Sequence, residues 1–227
     1  INSYFGRIGY TYDQKYLFEA NFRADASSRF AKKGRWGYFP SFSVGWRVDQ
    51  EKFMENATWL DGLKLRASWG ENGNIKNIGL YDTYSTYDSG GTTVLGGVSV
   101  PTLTEGRIGN PDLTWETTAS TNIGLDLSIG KGLINITADL YNRLTKGILI
   151  RANDIMAETG LSSSQIPARN VGKVRNKGIE LVLSHYKSFG DFSYNVSLNG
   201  TFNHNEIVDL GDKVDQLPPE DLWIYKK

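Results

Sequence analysis

The chain has 227 residues, with 25 basic and 25 acidic side chains and a formal net charge of +0. This balance does not favour a nucleic-acid partner, and we predict none. The absence of cysteine excludes disulfide scaffolds, thiolate zinc sites and cysteine nucleophiles. Mean hydropathy is −0.39, and no apolar run approaches the ~20 residues of a membrane-spanning helix. This hydropathy does not exclude a membrane β-barrel, because only alternate residues of its strands face lipid.

The hydrophobic pattern alternates with a period of two, which predicts about eight β-strands. In chain order they cover residues 4–12, 16–25, 38–48, 63–69, 117–129, 134–141, 179–184 and 192–203. The last is the clearest, since Phe192, Tyr194, Val196 and Leu198 alternate with serine and asparagine. The sequence therefore predicts an all-β chain whose strands carry one apolar and one polar face.

The charged side chains of these strands fall on the polar face. Burying a basic residue in hydrocarbon costs about 2–4 kcal/mol, so in a membrane wall this face must border a wet lumen. Alternation alone is also compatible with a soluble β-sandwich, whose apolar face points inward. The predicted lumen-facing residues are Arg7, Glu19, Arg23, Arg47, Lys64, Arg66, Asp126, Asp139 and Glu180.

The links between the predicted strands alternate in length. Residues 13–15, 130–132 and 186–191 form short turns, and 49–62 is a middling link with a helical turn expected around 51–55. The links 26–37, 70–113 and 150–172, and the tail after 204, are long. Structureless links of that length are uncommon in soluble domains, whereas outer-membrane barrels pair short periplasmic turns with long extracellular loops.

Aromatic residues give a weaker signal of the same kind. Two groups near opposite strand ends would match the two aromatic girdles of a membrane barrel, although aromatic residues favour strands in general. The first group, near short turns, is Tyr10, Tyr12, Tyr16, Phe18 and Trp46, and the second, near long links, is Trp36, Tyr38, Trp69 and Trp115.

The sequence offers no enzymatic site. His185 and His204 are the only histidines, and neither has a matched nucleophile or ligand spacing. We therefore predict no catalytic residue, no metal ligand and no cofactor.

Five strings resemble the SusC/RagA family of TonB-dependent outer-membrane transporters, and they occur in the order that this family uses. They are DASSRFAKKGRWGYFPSFSVGWRV (25–48), LDGLKLRASWGENGN (60–74), GNPDLTWETT (109–118), YNRLTKGIL (141–149) and NVGKVRNKGIELVL (170–183). The resemblance implies an antiparallel up-and-down transmembrane β-barrel of about 22 strands, of which this chain carries about eight. It also implies a location in the bacterial outer membrane.

The same resemblance implies partners and a domain layout. Members of this family import oligosaccharides or peptides with a SusD-like lipoprotein lid outside and the TonB complex inside. We expect residues 1–210 to form part of the barrel and 211–227 a loop or truncated tail, with the plug domain and TonB box absent from this chain. The expected partners are thus the lipoprotein, TonB through the missing N-terminal part, the oligosaccharide or peptide substrate, and outer-membrane lipid.

Tyr81, Tyr84 and Tyr87 in the longest link are candidates for contacting substrate or the lid. The simpler interpretation is that they pack the loop against its neighbours. The alternative function for the whole chain is a soluble β-sandwich carbohydrate-binding module, in which these tyrosines would stack on sugar rings.

Overall fold

The computed structural model describes residues 1–150 and 165–210. Eight antiparallel strands form one sheet, in which each strand pairs with the next one along the chain; a separate hairpin interrupts the series. The sheet order is β1 (Asn2–Tyr12), β2 (Tyr16–Ala26), β3 (Trp36–Arg47), β4 (Leu60–Asn74), β7 (Glu116–Ile129), β8 (Ile134–Ile150), β9 (Arg169–Phe189) and β10 (Phe192–Asp209), and the hairpin is β5 (Thr86–Leu95) with β6 (Val98–Arg107).

Helical structure is minor in the described ranges. Lys32–Gly34, Val48–Gln50 and Lys52–Met54 are single 3-10 turns, and the last lies within 51–55, where a helical turn was expected. No helix in the described part of the chain has the length and apolar character needed to cross a membrane.

The strand register gives the sheet an apolar face that crosses all eight strands. Residues directly opposite each other in an antiparallel pair lie on the same face. One row of such partners is apolar from the first strand to the last, and most of its side chains are exposed. This row is Tyr10, Phe18, Val44, Ala67, Ile123, Leu140, Ile179 and Phe202.

Tight turns join the strands at one end of the sheet, which we call the short-turn end. Asp13 and Gln14 both have positive φ, and the Lys15 amide donates to the Tyr12 carbonyl at 3.0 Å. Two successive residues with positive φ match the right-handed twist of the flanking strands. Only Gly190 and Asp191 separate β9 from β10.

The opposite end, the long-loop end, has its own small core. The buried side chains of Phe30, Ile78, Leu113 and Ala168, with Ile75, Trp115 and Leu149 partly buried against them, form what we call the loop cluster. Its members come from three connections and the strands beside them. The long connections are thus packed together at their bases.

The link between β4 and β7 differs from the prediction of an unstructured loop over 70–113. It contains the β5–β6 hairpin, whose turn residues Gly96 and Gly97 have φ of 59° and 84°. The string TTVLGGVSV (92–100) carries the signal, because Gly-Gly between two alternating runs favours a two-residue hairpin turn.

Several strands are longer than predicted. β4 reaches Asn74, β8 reaches Ile150 and β9 starts at Arg169, where the predictions ended at 69 and 141 and began at 179. The added segments break the alternation, through a bulge at Gly147 in β8 and through runs of glycine and polar residues in β4 and β9, so the hydrophobic pattern did not reveal them.

The sandwich alternative is wrong in its architecture. A β-sandwich needs two sheets that pack face to face, about 10 Å apart. The eight strands form a single sheet instead, and among the described residues its apolar face is exposed.

Candidate functional site: the polar face of the sheet

All nine residues predicted to line a lumen lie on one face of the sheet, which we call the polar face. Two neighbouring rows of register partners define it, and neither row contains a large aliphatic side chain beyond Leu17. The first row is Gly9, Glu19, Ser43, Ser68, Asn122, Tyr141, Gly178 and Asn203, and the second is Leu17, Gly45, Arg66, Gly124, Asp139, Glu180 and Thr201.

Arg66 is the centre of the ionic network on this face. Its Nε and Nη2 donate to the two carboxylate oxygens of Asp126 at 2.8 and 3.1 Å, and Nη2 also donates to Asp139 at 3.2 Å. The fork of the guanidinium suits such a two-point contact with one carboxylate. One arginine on β4 thereby links β7 and β8, and balances two acids.

Four other predicted residues, Arg7, Glu19, Arg23 and Arg47, also form ion pairs. Arg7 of β1 donates to Glu19 of β2. Arg23 donates to Asp25 at 2.6 Å, and Arg47 donates to Asp49 at 3.2 Å.

Lys64 and Glu180 differ from the other seven predicted residues. Within the described part of the chain, neither forms an ion pair. Lys64 lies opposite Asp126 in the register, and Glu180 lies opposite Asp139.

The loop cluster closes the polar face at the long-loop end. Phe39 lies on the polar face of β3 and is 6% exposed. Its ring meets Trp115 edge-on with centroids 5.4 Å apart, and Trp115 also packs on Phe30 at 5.3 Å. The indole Nε1 donates to the Arg35 carbonyl at 3.2 Å. Trp115 therefore lies inside the loop cluster and not in the girdle where we placed it.

Side-chain amides hold the bases of the loops together. Asn170 donates from Nδ2 to the carbonyls of Thr114 and Gly147 at 2.9 and 2.8 Å, and its Oδ1 accepts from the Thr114 amide at 2.9 Å. Asn110 donates to the Ala168 carbonyl at 2.8 Å, and Arg29 donates to the Ile78 carbonyl at 2.7 Å.

The three candidate tyrosines lie beyond this cluster, at the long-loop end. Tyr81 and Tyr84 belong to the turn that precedes the hairpin, and Tyr87 belongs to β5. They are 65%, 57% and 64% exposed.

The short-turn end carries a different polar centre, beside the apolar face. Tyr16 Oη and Trp46 Nε1 both donate to Glu51 Oε1, at 2.6 and 3.0 Å, and Lys15 Nζ lies 3.6 Å from Oε2. The hydrogen bond from Tyr16, followed by that from Trp46, lowers the pKa of the Glu51 carboxyl. One carboxylate thus fixes two aromatic residues of the predicted girdle.

Sequence reasoning missed the residues that shape the polar face without carrying charge. Phe39 has the parity of the polar residues, so the alternation assigned it no role. Gly124 and Asn170 have no signal of their own in a single sequence. Among the described residues, no group of three or more histidine, cysteine or acidic side chains is placed to hold a metal ion.

Comparison with known proteins agrees with this architecture. The family model described as "TonB dependent receptor-like, beta-barrel" matches residues 1–221. TonB-dependent receptor P39 of Formosa agariphila is 36% identical over 216 residues, which cover 94% of this chain and 20% of that protein. TonB-dependent receptor SusC of Bacteroides thetaiotaomicron is 35% identical over 226 residues, covering 94% of this chain and 21% of SusC.

Solved structures give the same result. The RagAB peptide importer in its "open-open" state matches with a TM-score of 0.83 and 28% identity, over 95% of this chain and 23% of the importer chain. The chain thus spans about a fifth of the length of the curated relatives it matches. The family-model match and the relatives above 30% identity show that the chain belongs to the TonB-dependent receptor β-barrel family of the outer membrane, and is of the SusC/RagA type.

Proposed function

We propose that this chain forms part of the wall of a TonB-dependent importer for oligosaccharides or peptides. The observation that carries the proposal is the two-faced register of the sheet. The apolar row from Tyr10 to Phe202 is exposed as a lipid-facing surface would be, and the nine ionisable residues share the other face. In such a wall the polar face borders the path of the solute.

Labelling of single cysteines tests the orientation of the wall. Val196 is 60% exposed on the apolar face, and Ser197 is the next residue on the polar face. In the full-length transporter, Val196→Cys should react with a lipid-soluble maleimide and Ser197→Cys with a water-soluble one. Equal reaction of Val196→Cys with the water-soluble reagent would refute the wall.

Uptake by cells tests the cargo. The RagAB structures are named for a peptide importer, whereas the sequence of this chain leaves oligosaccharide and peptide open. A labelled linear glucose oligosaccharide and a labelled peptide pool should be offered to cells with and without the transporter. Uptake of either probe that depends on the transporter and on TonB supports the proposal, and uptake of neither rejects it.

We further propose that the long-loop end meets a SusD-like lipoprotein or the substrate through Tyr81, Tyr84 and Tyr87. Exposed tyrosines offer large apolar area and a hydroxyl at little cost in side-chain entropy. Replacing all three with alanine should weaken lipoprotein capture or uptake severalfold. The matched control is Phe53→Ala with Trp59→Ala, since these exposed aromatics lie at the short-turn end. If the triple variant behaves like this control, the tyrosines are not a contact site.

A further inference from the structure

Arg66 lies flat against the sheet, across a glycine of the neighbouring strand. A Cβ atom added at Gly124 would lie 2.7 Å from Arg66 Cζ and 2.6 Å from Asp139 Oδ1. Both neighbours are the far ends of side chains, and Gly124 is buried beneath them. The missing Cβ therefore lets the guanidinium rest on the backbone of β7 while it reaches both Asp126 and Asp139.

Two aromatic rings lie against strand glycines in a similar way. The ring of Phe39 occupies the space that a Cβ at Gly73 would need, and this ring is nearly buried. Tyr141 crosses Gly178 of β9 and donates from Oη to Asn203 of β10 at 3.2 Å. An aromatic ring laid over a strand glycine also covers backbone that would otherwise be exposed.

The outcome is a polar face on which long side chains run along the sheet. An arginine that stood away from the sheet would place a charge and its hydration shell in front of the wall. Lying flat, Arg66 has its charge balanced by two carboxylates within 3.2 Å. The Arg66 side chain, which precedes Gly124 in this register row, therefore projects little from the polar face.

We propose that Gly124 and Gly73 are positioning residues that keep the solute path clear by holding Arg66 and Phe39 flat. This inference rests on the proposed function for one premise, that the polar face borders the path of the solute. Gly124 never touches the solute in this scheme and acts through Arg66.

The first test is structural and uses Gly124→Ala in the full-length transporter. The structure of this variant, determined by cryo-electron microscopy, should show the Arg66 guanidinium moved off β7 and its contact with Asp139 lost. The matched control is Gly9→Ala, because Gly9 lies on the same face with nothing within 4 Å of an added Cβ. An Arg66 side chain that keeps its position in Gly124→Ala would overturn the inference.

The second test measures uptake of whichever probe the wild-type transporter accepts, at matched amounts in the outer membrane. Gly124→Ala should lower uptake severalfold, and Gly9→Ala should not. The variant Gly124→Ala/Arg66→Ala/Asp139→Ala should match Arg66→Ala/Asp139→Ala, because both side chains nearest to the added Cβ are then gone. A triple variant well below Arg66→Ala/Asp139→Ala would mean that Gly124 acts by another route.

A second pair keeps the inference testable if Gly124→Ala fails to assemble. The three atoms nearest to an added Cβ at Gly73 all belong to the Phe39 ring, so Gly73→Ala and Gly73→Ala/Phe39→Ala repeat the comparison. Gly178 is less suitable, because a Cβ there also meets the carbonyl oxygen of Phe202. Wild-type cells that take up neither probe would refute the proposed function. If the wild-type transporter takes up a probe, and if Gly124→Ala and Gly73→Ala leave that uptake unchanged, this inference is refuted but the proposed function is not.

Discussion

Glu51 shows how one side chain outside the strands orders the aromatic residues beside it. Its Oε1 accepts from both Tyr16 and Trp46, and its Oε2 faces Lys15. Hydrogen bonds to an ionised carboxylate are stronger than those between neutral groups. Because both aromatic donors are on the apolar face, the carboxylate fixes their polar edges at the membrane boundary where such residues are expected.

The lowered pKa of Glu51 predicts a pH-dependent contribution to stability. The carboxyl is more acidic in the folded chain than its ordinary value of 4.5. Its stabilisation is therefore complete above pH 4.5 and is lost as the pH falls below 4.5 through the folded-state pKa. Glu51→Gln in the full-length barrel should lower the melting temperature at neutral pH, and the difference from wild type should shrink in acid.

Glu55→Gln is the control for this experiment, since Glu55 is an exposed acid of the same link. Melting should be followed by circular dichroism in detergent across the acidic range. A Glu51→Gln difference that stays constant down to the lowest pH would contradict the assigned role of the carboxylate.

We expect substitution of Asn170 to have a local effect at the long-loop end of the sheet. Its amide makes three hydrogen bonds with Thr114 and Gly147, each worth about 0.5–1.5 kcal/mol net. Asn170→Ala should destabilise the junction by about 1–3 kcal/mol, because two carbonyls and one amide lose their partner. Amide hydrogen exchange near Thr114 should accelerate accordingly.

The matched variant is Asn142→Ala, at an exposed asparagine of β8. It should leave exchange near Thr114 unchanged. Equal acceleration in the two variants would show that Asn170 has no special bracing role.

At the scale of elements, alternation predicted the strands where the period of two is strict and failed where that period is interrupted. The eight sheet strands and their two faces were predicted because membrane-level segments such as 192–203 keep a strict period of two. The upper part of β8, past Tyr141, gives no such signal, because Gly147 has a positive φ and the run 148–150 is apolar on both faces. The loop cluster was not predictable either, since its contacts join residues far apart in the chain, such as Phe30 and Leu113.

We expect the turn of the β5–β6 hairpin to tolerate only residues that can adopt a positive φ. Gly97→Val should distort the turn, because a β-branched residue in the left-handed region is disfavoured by on the order of 1–3 kcal/mol. Gly97→Asn should be tolerated, since asparagine adopts this conformation more readily. A disulfide between Thr93→Cys and Val100→Cys, which are register partners, reports the pairing.

The disulfide should form rapidly with the native glycine or with Gly97→Asn in the turn, and slowly with Gly97→Val. Rapid formation in the Gly97→Val variant would mean that the strand pairing does not depend on the turn. The assay needs no knowledge of the cargo.

At the scale of the whole molecule, the sheet has two unpaired edges. β1 and β10 each pair with one neighbour among the described residues. Unpaired backbone groups are not tolerated in hydrocarbon, and in water exposed edges promote association. The wall is therefore complete only when further strands pair with β1 and β10.

Expression of residues 1–227 alone checks this point. We expect aggregation, or a requirement for the rest of the barrel, because the exposed apolar face and both edges remain uncovered. Size-exclusion chromatography in mild detergent, followed by thermal melting, would measure it. A monodisperse, soluble monomer with a cooperative melt would contradict the interpretation of an incomplete wall.

The unequal strand lengths also fix the stagger of the strands. β2 has 11 residues and β9 has 21. In the register row that joins Phe18 to Ile179, Phe18 lies two residues from the short-turn end of β2, and Ile179 lies ten residues from that of β9. Most of the extra length of β9 is therefore on the short-turn side of this row. Strand ends that share one membrane surface then require the rows to run obliquely to that surface, which is the stagger of tilted strands in a closed barrel.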